Sequence, residues 1–377
     1  MANFSRARRD ALAGALSLAA TSVASGSDNM NTNTSRQGQP FQAFEIGAQQ
    51  GLDSLRQVTR DTPDIPPGEV LVRVRAAALN HRDLSILKGQ YGARKSETRV
   101  PGGDGAGEVV AVGEGVDGVQ LGDRVTAPHF VRWIDGEYDP AVFVADLGSS
   151  RDGWLSEYIL LPAAALVKLP DGMSDEDAAA LGAAGITAWT VLQTLGQMKP
   201  GDWVLTLGTG GVSILALQIA SIAGARVAIT SSSDDKLAIA RELGADITVN
   251  YRKDPEWATT VRAATGGRGV DIVVETVGLA TLEQSLSACA PNARVGLLGA
   301  LGGRPEDGVQ LGNLILGNVI LKGITSGSRR MLEDLLTAFD TNGVQPKIDR
   351  VFPFAETPAA LDYLANARHV GKIVIAG

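Results

Sequence analysis

The sequence predicts an α/β fold in two parts, a doubly wound parallel sheet inserted into a β-rich domain. Three observations carry that expectation. Residues 40–168 are rich in period-two alternation and turn residues. From about residue 169 to 342, apolar β-branched runs alternate with stretches of helical spacing, the signature of right-handed βαβ units. Residues 343–377 then leave that alternation and read as strand, helix, strand, which fits a return to the first domain's sheet. A length of 377 residues favours two domains over one.

Residues 1–38 are set apart. Arg8-Arg9 precede a weakly apolar segment, Ala11 to Ala24, then Ser25-Gly26, which resembles a twin-arginine export signal. A misassigned start before Met30 is the other reading. The cytoplasm is the expected location and export by that signal the alternative.

In the β-rich part, Glu69–Arg75 alternates cleanly, Val109–Val112 is a second strand, and Gly122-Asp-Arg-Val125 opens a third. Ala127–Gly153 breaks the pattern and crowds His129, Phe130, Trp133, Tyr138 and Phe143. Two readings stand: a loop packing its own aromatics, or a wall over a substrate pocket. Strand character returns at Trp154–Leu161. Met173–Leu195 reads as one helix, with Ser174 as N-cap and Asp175, Glu176 and Asp177 in its first turn.

The centre of the alternating part is Asp202–Ala223. An apolar strand, Trp203–Leu207, runs into Gly208, Gly210 and Gly211, and then into Val212, Leu215, Ala216 and Ile219 at helical spacing. Glycines let backbone approach a pyrophosphate, and the first N–H groups of the helix then face the anion. Left-handed φ is one conformation such a turn can demand of Gly210. Ser213 stands where the usual pattern has a third glycine, and a purely structural turn is the competing reading. The next strand, Arg226–Thr230, ends in Ser231-Ser232-Ser233 with no carboxylate before Asp234. An acidic residue at that tip would bind a ribose 2′-hydroxyl; small hydroxyls followed by Lys236 suit a 2′-phosphate, so NADP(H) is preferred over NAD(H). The serines also serve as caps. Further strands are expected at Ile247–Val249, Asp271–Glu275, Val295–Leu298 and Val319–Ile324. The helices are Val212–Ala223, Asp235–Leu243, Trp257–Ala264, Thr281–Ala288 and Arg329–Phe339.

Composition excludes several classes. Net charge is −8 with no long basic run, which argues against nucleic acid as a partner. The single cysteine, Cys289, rules out a disulfide framework and a multi-cysteine zinc site. No apolar run reaches membrane-spanning length.

Over Pro40–Gly377 the sequence resembles the medium-chain dehydrogenase/reductase superfamily, in its zinc-free alcohol dehydrogenase-like and quinone oxidoreductase-like branch. The carriers include Asn80-His-Arg-Asp83, Val100-Pro-Gly-Gly-Asp-Gly-Ala-Gly-Glu-Val109, Gly122-Asp-Arg-Val125, Ile186-Thr-Ala-Trp189, Gly208-Thr-Gly-Gly-Val-Ser213, Asn250-Tyr-Arg252 and His369-Val-Gly-Lys-Ile-Val374. The resemblance implies a GroES-like catalytic domain split by a Rossmann nucleotide-binding domain, with the active site in the cleft between them. It implies a small-molecule substrate and a homodimer formed through the strand near Val319–Ile324. At the positions where zinc-dependent members carry Cys, His and Cys ligands, this chain has Asn80, Gly103 and Ala183, with Asp104 beside the second. No metal residues are therefore assigned. Asn80, His81 and Asp83 match the region near the nicotinamide in zinc-free members. Asn80 is expected to donate to a carbonyl, Asp83 to be catalytic or to bond neighbouring backbone, and His81 to be a proton donor or to point away. Cofactor contacts are expected from Thr187, Gly208, Gly210, Gly211, Val212, Ser213, Ser231, Ser232, Lys236 and Tyr251, and from Val277 and Gly299 beyond the fourth and fifth strands. The activity so implied is hydride transfer between NADPH and a carbonyl, quinone or activated alkene. A non-catalytic NADPH-binding sensor is the alternative, and a crystallin-like structural protein a third reading.

Overall fold

The computed structural model describes residues 38–91, 98–299, 302, 303, 305 and 308–377. The expectations for the first 37 residues, including the Arg8-Arg9 signal, lie outside the described residues.

The GroES-like part begins with an antiparallel pair, β1 (Pro40–Ile46) and β2 (Leu55–Asp61). Its main sheet holds β3 (Glu69–Ala78), β4 (Asp104–Val112), β5 (Arg124–Thr126), β6 (Tyr158–Pro162) and β7 (Val167–Lys168), with α1 (His81–Leu87) between β3 and β4. The strand read at Glu69–Arg75 continues to Ala78, but without the alternation: Ala76, Ala77 and Ala78 are all buried. The first half of β3 pairs with β6, and its C-terminal end pairs with a strand from the end of the chain.

Two helices then cross to the second part, α2 (Asp175–Leu181) and α3 (Ala183–Trp189), the latter running on into a π-helical turn at Thr190–Leu195. The Rossmann part follows: β8 (Trp203–Leu207), α4 (Gly211–Ile222), β9 (Arg226–Ser231), α5 (Asp234–Glu242), β10 (Ile247–Asn250), α6 (Trp257–Ala264), β11 (Val270–Glu275), α7 (Leu279–Ala288), β12 (Cys289–Leu297), α8 (Gly312–Leu316), β13 (Ile320–Gly323) and α9 (Arg329–Thr341). All strands are parallel in the order β10-β9-β8-β11-β12-β13, which puts the switch in strand order between β8 and β11. Ligands of such sheets bind at that switch. The chain ends with β14 (Ile348–Pro353), α10 (Thr357–Ala365) and β15 (Lys372–Ala376); β15 lies between β14 and β3, inside the GroES-like sheet.

Two expectations are corrected. Met173–Leu195 is not one helix. It breaks at Gly182, because the buried Asp104 carboxylate accepts the Ala183 N–H at 2.8 Å and a Cβ on Gly182 would stand 2.3 Å from Asp104 Cγ. The strand read at Trp154–Leu161 begins only at Tyr158. Trp154 is buried on the backbone of β4, where a Cβ on Gly105 would fall 2.4 Å from the indole.

Candidate functional site

The turn from β8 into α4 divides its labour among the glycines. Gly208 takes the left-handed conformation, φ 74°. Gly210 does not; its φ is −79°, so the left-handed demand belongs to Gly208 alone. A Cβ on Gly210 would meet nothing within 4 Å, whereas one on Gly211 would stand 2.9 Å from Lys372 Cδ. No side chain caps α4, so the N–H groups of its first turn are not taken by a cap and are suited to an anion. Val212 is half-buried in that turn. Ser213 replaces a glycine without cost, because its buried hydroxyl turns back to donate to the Leu207 carbonyl at 2.6 Å.

At the tip of β9, Ser231 is buried and its hydroxyl accepts the Ser233 N–H at 3.4 Å. Ser233 caps α5, and Ser232 lies half-buried between them. Asp234 points away, holding Asn250 at 2.7 Å and the Lys253 ammonium. Tyr251 is 42% exposed beside the tip. Lys236 has partners in the returning chain: its ammonium donates to the carbonyls of Ala367 and His369 at 2.7 and 3.1 Å, which leaves one N–H. Beyond β11 and β12, Val277 and Gly299 both return to Glu275. Val277 N–H donates to its carboxylate at 2.9 Å, and Gly299 N–H to its carbonyl at 3.2 Å. A Cβ on Gly299 would lie 1.7 Å from the Thr276 carbonyl, so only glycine fits. Thr187 is buried on α3, its hydroxyl donating to the Ala183 carbonyl at 2.6 Å, a bond internal to the helix.

A polar knot stands across from the turn. Asn80 Nδ2 donates to Asp104 Oδ2 at 2.7 Å, and Lys372 Nζ donates to Asn80 Oδ1 at 2.7 Å and to the Leu79 carbonyl at 2.9 Å. Lys372 also forms an ion pair with Asp104 at 3.6 Å, both side chains being buried. Burial pulls the Lys372 ammonium below its ordinary value, against the pull of Asp104 and Asp83. Asp83, fully buried, accepts the Asn80 N–H at 2.7 Å at the start of α1. Burial pushes its carboxyl up to about 6, outweighing Arg82. His81, the neighbouring candidate, is exposed.

Next to the knot lies a second network. Arg82 makes two 2.6 Å contacts to Asp146, and Asp146 also holds His129 Nδ1 at 2.8 Å. Arg82 further donates to the Leu147 carbonyl at 3.0 Å and lies 4.8 Å from the Tyr91 ring centre. Burial works to raise the Asp146 carboxyl; His129 and Arg82 outweigh it and hold it below the usual range. This network ties the 127–153 segment to α1. The segment also packs Phe130, Trp133 and Val142 together, and its Trp133 and Ile134 carbonyls accept the Arg329 and Arg330 N–H groups at 2.8 and 3.0 Å. It is therefore docked on the first turn of α9 as well as packing its own aromatics.

At the positions matched to metal ligands, Gly103 has its side-chain space filled: a Cβ there would stand 2.4 Å from Arg82 Nη1. Ala183 presents only its N–H, to Asp104. Among the described residues no three His, Cys, Asp or Glu side chains gather as a metal would require. Sequence reasoning missed Lys372, Asp104, Arg82, Asp146 and His129 as one site. The available signals were single polar residues in apolar or glycine-rich runs: Asp104 among glycines, and Lys372 at the head of an apolar strand.

Comparison with known proteins places this geometry. Two family models match, an alcohol dehydrogenase GroES-like domain over residues 66–171 and a zinc-binding dehydrogenase over residues 211–341. A zinc-type alcohol dehydrogenase-like protein of Schizosaccharomyces pombe is 40% identical over 331 residues, 86% of this chain and 96% of its own. A solved NAD-dependent alcohol dehydrogenase is 34% identical with a TM-score of 0.79, over 89% of this chain and 99% of its own. A mycobacterial protein solved in complex with NADPH is 28% identical with a TM-score of 0.75, over 89% of this chain and 100% of its own.

Proposed function

Because the chain belongs to the medium-chain dehydrogenase/reductase superfamily, we propose that it is a zinc-independent, NADPH-preferring reductase of a carbonyl, quinone or activated alkene. The observation that carries the metal-free reading is the donor set. Gly103 and Ala183 have no ligand atom, and Asp104, the carboxylate at these matched positions, is already bound by Asn80, Lys372 and the Ala183 N–H. Two cations, Lys372 and Arg82, border the same space. These residues do not fit a zinc ion, which needs three or four anionic or imidazole donors.

They do suit a dinucleotide. The uncapped first turn of α4 and the open space above Gly210 would take the pyrophosphate, and the carboxylate-free tip at Ser231 and Ser232, with Tyr251 and the third N–H of Lys236, would take a 2′-phosphate. A reduced nicotinamide bound there supplies a hydride. This chain's part is then to hold the acceptor oxygen while negative charge develops on it, and Asn80 has a second N–H for that purpose. The reductase works as a homodimer through the edge strand β13, where Ile320 is 51% exposed and Ile315 and Leu316 on α8 are 77% and 88% exposed.

The test is steady-state NADPH oxidation with quinones, aldehydes and enones, alongside elemental analysis. Turnover that survives chelation, with no stoichiometric zinc, is expected; one tightly held zinc per chain overturns the mechanism. Ser231→Asp is expected to weaken NADPH at least about tenfold by like-charge repulsion and to improve NADH. Equal affinity of the unmodified enzyme for both cofactors overturns the preference.

A further inference from the structure

We propose that Lys372 is a positioning residue: it fixes the orientation of the Asn80 amide, so that an amide N–H rather than the amide oxygen is presented to the substrate. The inference rests on the reductase reading above and assigns a role within the same site.

The two ends of an asparagine amide are nearly alike in shape, so orientation must come from partners. Here the partners leave no choice. An ammonium can only donate, and Lys372 Nζ sits 2.7 Å from Oδ1. A carboxylate can only accept, and Asp104 Oδ2 sits 2.7 Å from Nδ2. Flipping the amide would set N–H against ammonium and oxygen against carboxylate, losing two charge-assisted bonds at once. Asp104 takes one of the two N–H bonds, and the amide carries a second. Asn80 is only half-buried, so that group remains within reach of a ligand.

The backbone delivers Lys372 for this purpose. Gly371 adopts φ 83°, and a Cβ there would stand 2.2 Å from the Lys347 carbonyl, so the bend is open to glycine alone. That bend turns the next side chain inward from the head of β15. Gly371 N–H donates to the Thr209 carbonyl at 3.0 Å, and the Lys372 stem packs where a side chain on Gly211 would be. One short segment thus touches both the cofactor turn and the amide. Packing alone would be served by methionine, without the cost of burying an ammonium.

The experiment follows NADPH oxidation by 9,10-phenanthrenequinone. Removing an oxyanion donor costs about 10²–10³ in kcat, and Asn80→Ala is expected in that range. Lys372→Met is expected to lower kcat at least about tenfold, with KM and the NADPH Kd from fluorescence titration within threefold. In the Asn80→Ala background Lys372→Met should have no further effect, since it acts through that amide. A Lys372→Met kcat within twofold of the unmodified enzyme overturns the proposal, and so does a double variant whose losses multiply. If Lys372→Met alone does not fold, because Asp104 is left without its cation, Lys372→Met combined with Asp104→Asn removes both charges, and its kcat compared with that of Asp104→Asn alone carries the test of Lys372. Asparagine-selective 15N labelling reads the orientation without turnover. The Asn80 amide pair, identified by its loss in Asn80→Ala, should be dispersed and exchange-protected in the unmodified protein and averaged in Lys372→Met. An unmodified protein that oxidises NADPH with no quinone, aldehyde or enone sinks the reductase reading, while the amide spectrum still decides the role of Lys372.

Discussion

Replacing Gly210 by valine separates cofactor binding from folding. The backbone at Gly210, φ −79° and ψ −175°, is extended and accessible to valine. A Cβ there meets nothing within 4 Å, so the apo protein gains no clash. The losses are the glycine's advantage as N-cap, about 1 kcal/mol at most, partly offset by the reduced freedom of the unfolded chain, about 0.4–1 kcal/mol. The expected Tm change is no more than a few degrees. Binding responds differently. The added methyl groups fill the open space in front of the uncapped α4 turn and hold a pyrophosphate off its N–H groups. A hydrogen bond to a charged group is worth about 1.5–3 kcal/mol, so losing two costs about 3–6 kcal/mol, or roughly 10²–10⁴ in Kd. The assay is NADPH titration by fluorescence, paired with thermal unfolding without cofactor. Gly211→Val is the contrast: its Cβ falls 2.9 Å from Lys372 Cδ and 3.4 Å from Ala184 Cβ, so stability and binding fall together. NADPH affinity of Gly210→Val within threefold of the unmodified protein would mean that the pyrophosphate does not sit on this turn.

Three further outcomes are expected. Burial pushes the Asp83 carboxyl up to about 6, above its unfolded value of about 3.9, so the fold gains a proton in that window and its stability falls as pH rises through it. Asp83→Asn keeps an acceptor for the Asn80 N–H and removes the titration, so its stability relative to the unmodified protein should rise by about 3 kcal/mol between pH 4 and 7 in denaturant titrations; a constant difference refutes this. Asp146→Ala leaves Arg82 and His129 without their buried anion and should cost about 3–5 kcal/mol by the same measurement, a loss under about 1 kcal/mol refuting the network's importance. Ile320→Lys places a charge on the exposed edge strand β13 and should give a monomer by light scattering, against a dimer for the unmodified chain.

The Rossmann half was legible because its signals are local. Each strand is a short apolar run and each helix shows its own 3.6-residue period, so Trp257–Ala264 is read with the bounds it has, and most others within a few residues. The helix break at Gly182 was illegible, because a single glycine such as Gly182 or Gly185 in an alanine-rich run weakens a helix without by itself ending it. The break depends on a carboxylate 79 residues away in sequence from the N–H it accepts. The same holds for the site. Asn80 was picked out by its motif, while Lys372, 292 residues away, was read only as the start of a strand. Arg82 and Asp146 are separated by 64 residues, and no periodicity connects them.

Lys236 shows where a local motif is incomplete. Its place on α5, three residues past the Ser233 cap, is what the sequence specifies, and that place is compatible with a 2′-phosphate at the β9 tip. The sequence does not specify which acceptors the ammonium meets. Two carbonyls of the returning chain, at Ala367 and His369, occupy two of its three donors, and Ala367 adopts φ 50° in the same turn. Desolvation there lowers the Lys236 pKa, with Asp349 opposing. A 2′-phosphate must therefore compete with, or share, bonds that already hold the returning segment in place. The charge contribution of Lys236 survives that sharing, because an ammonium acts on a phosphate through its field as well as through a directed bond. Cofactor preference and the anchoring of the last strand pair then depend on the same side chain, although only the first could be inferred from residues 231–236.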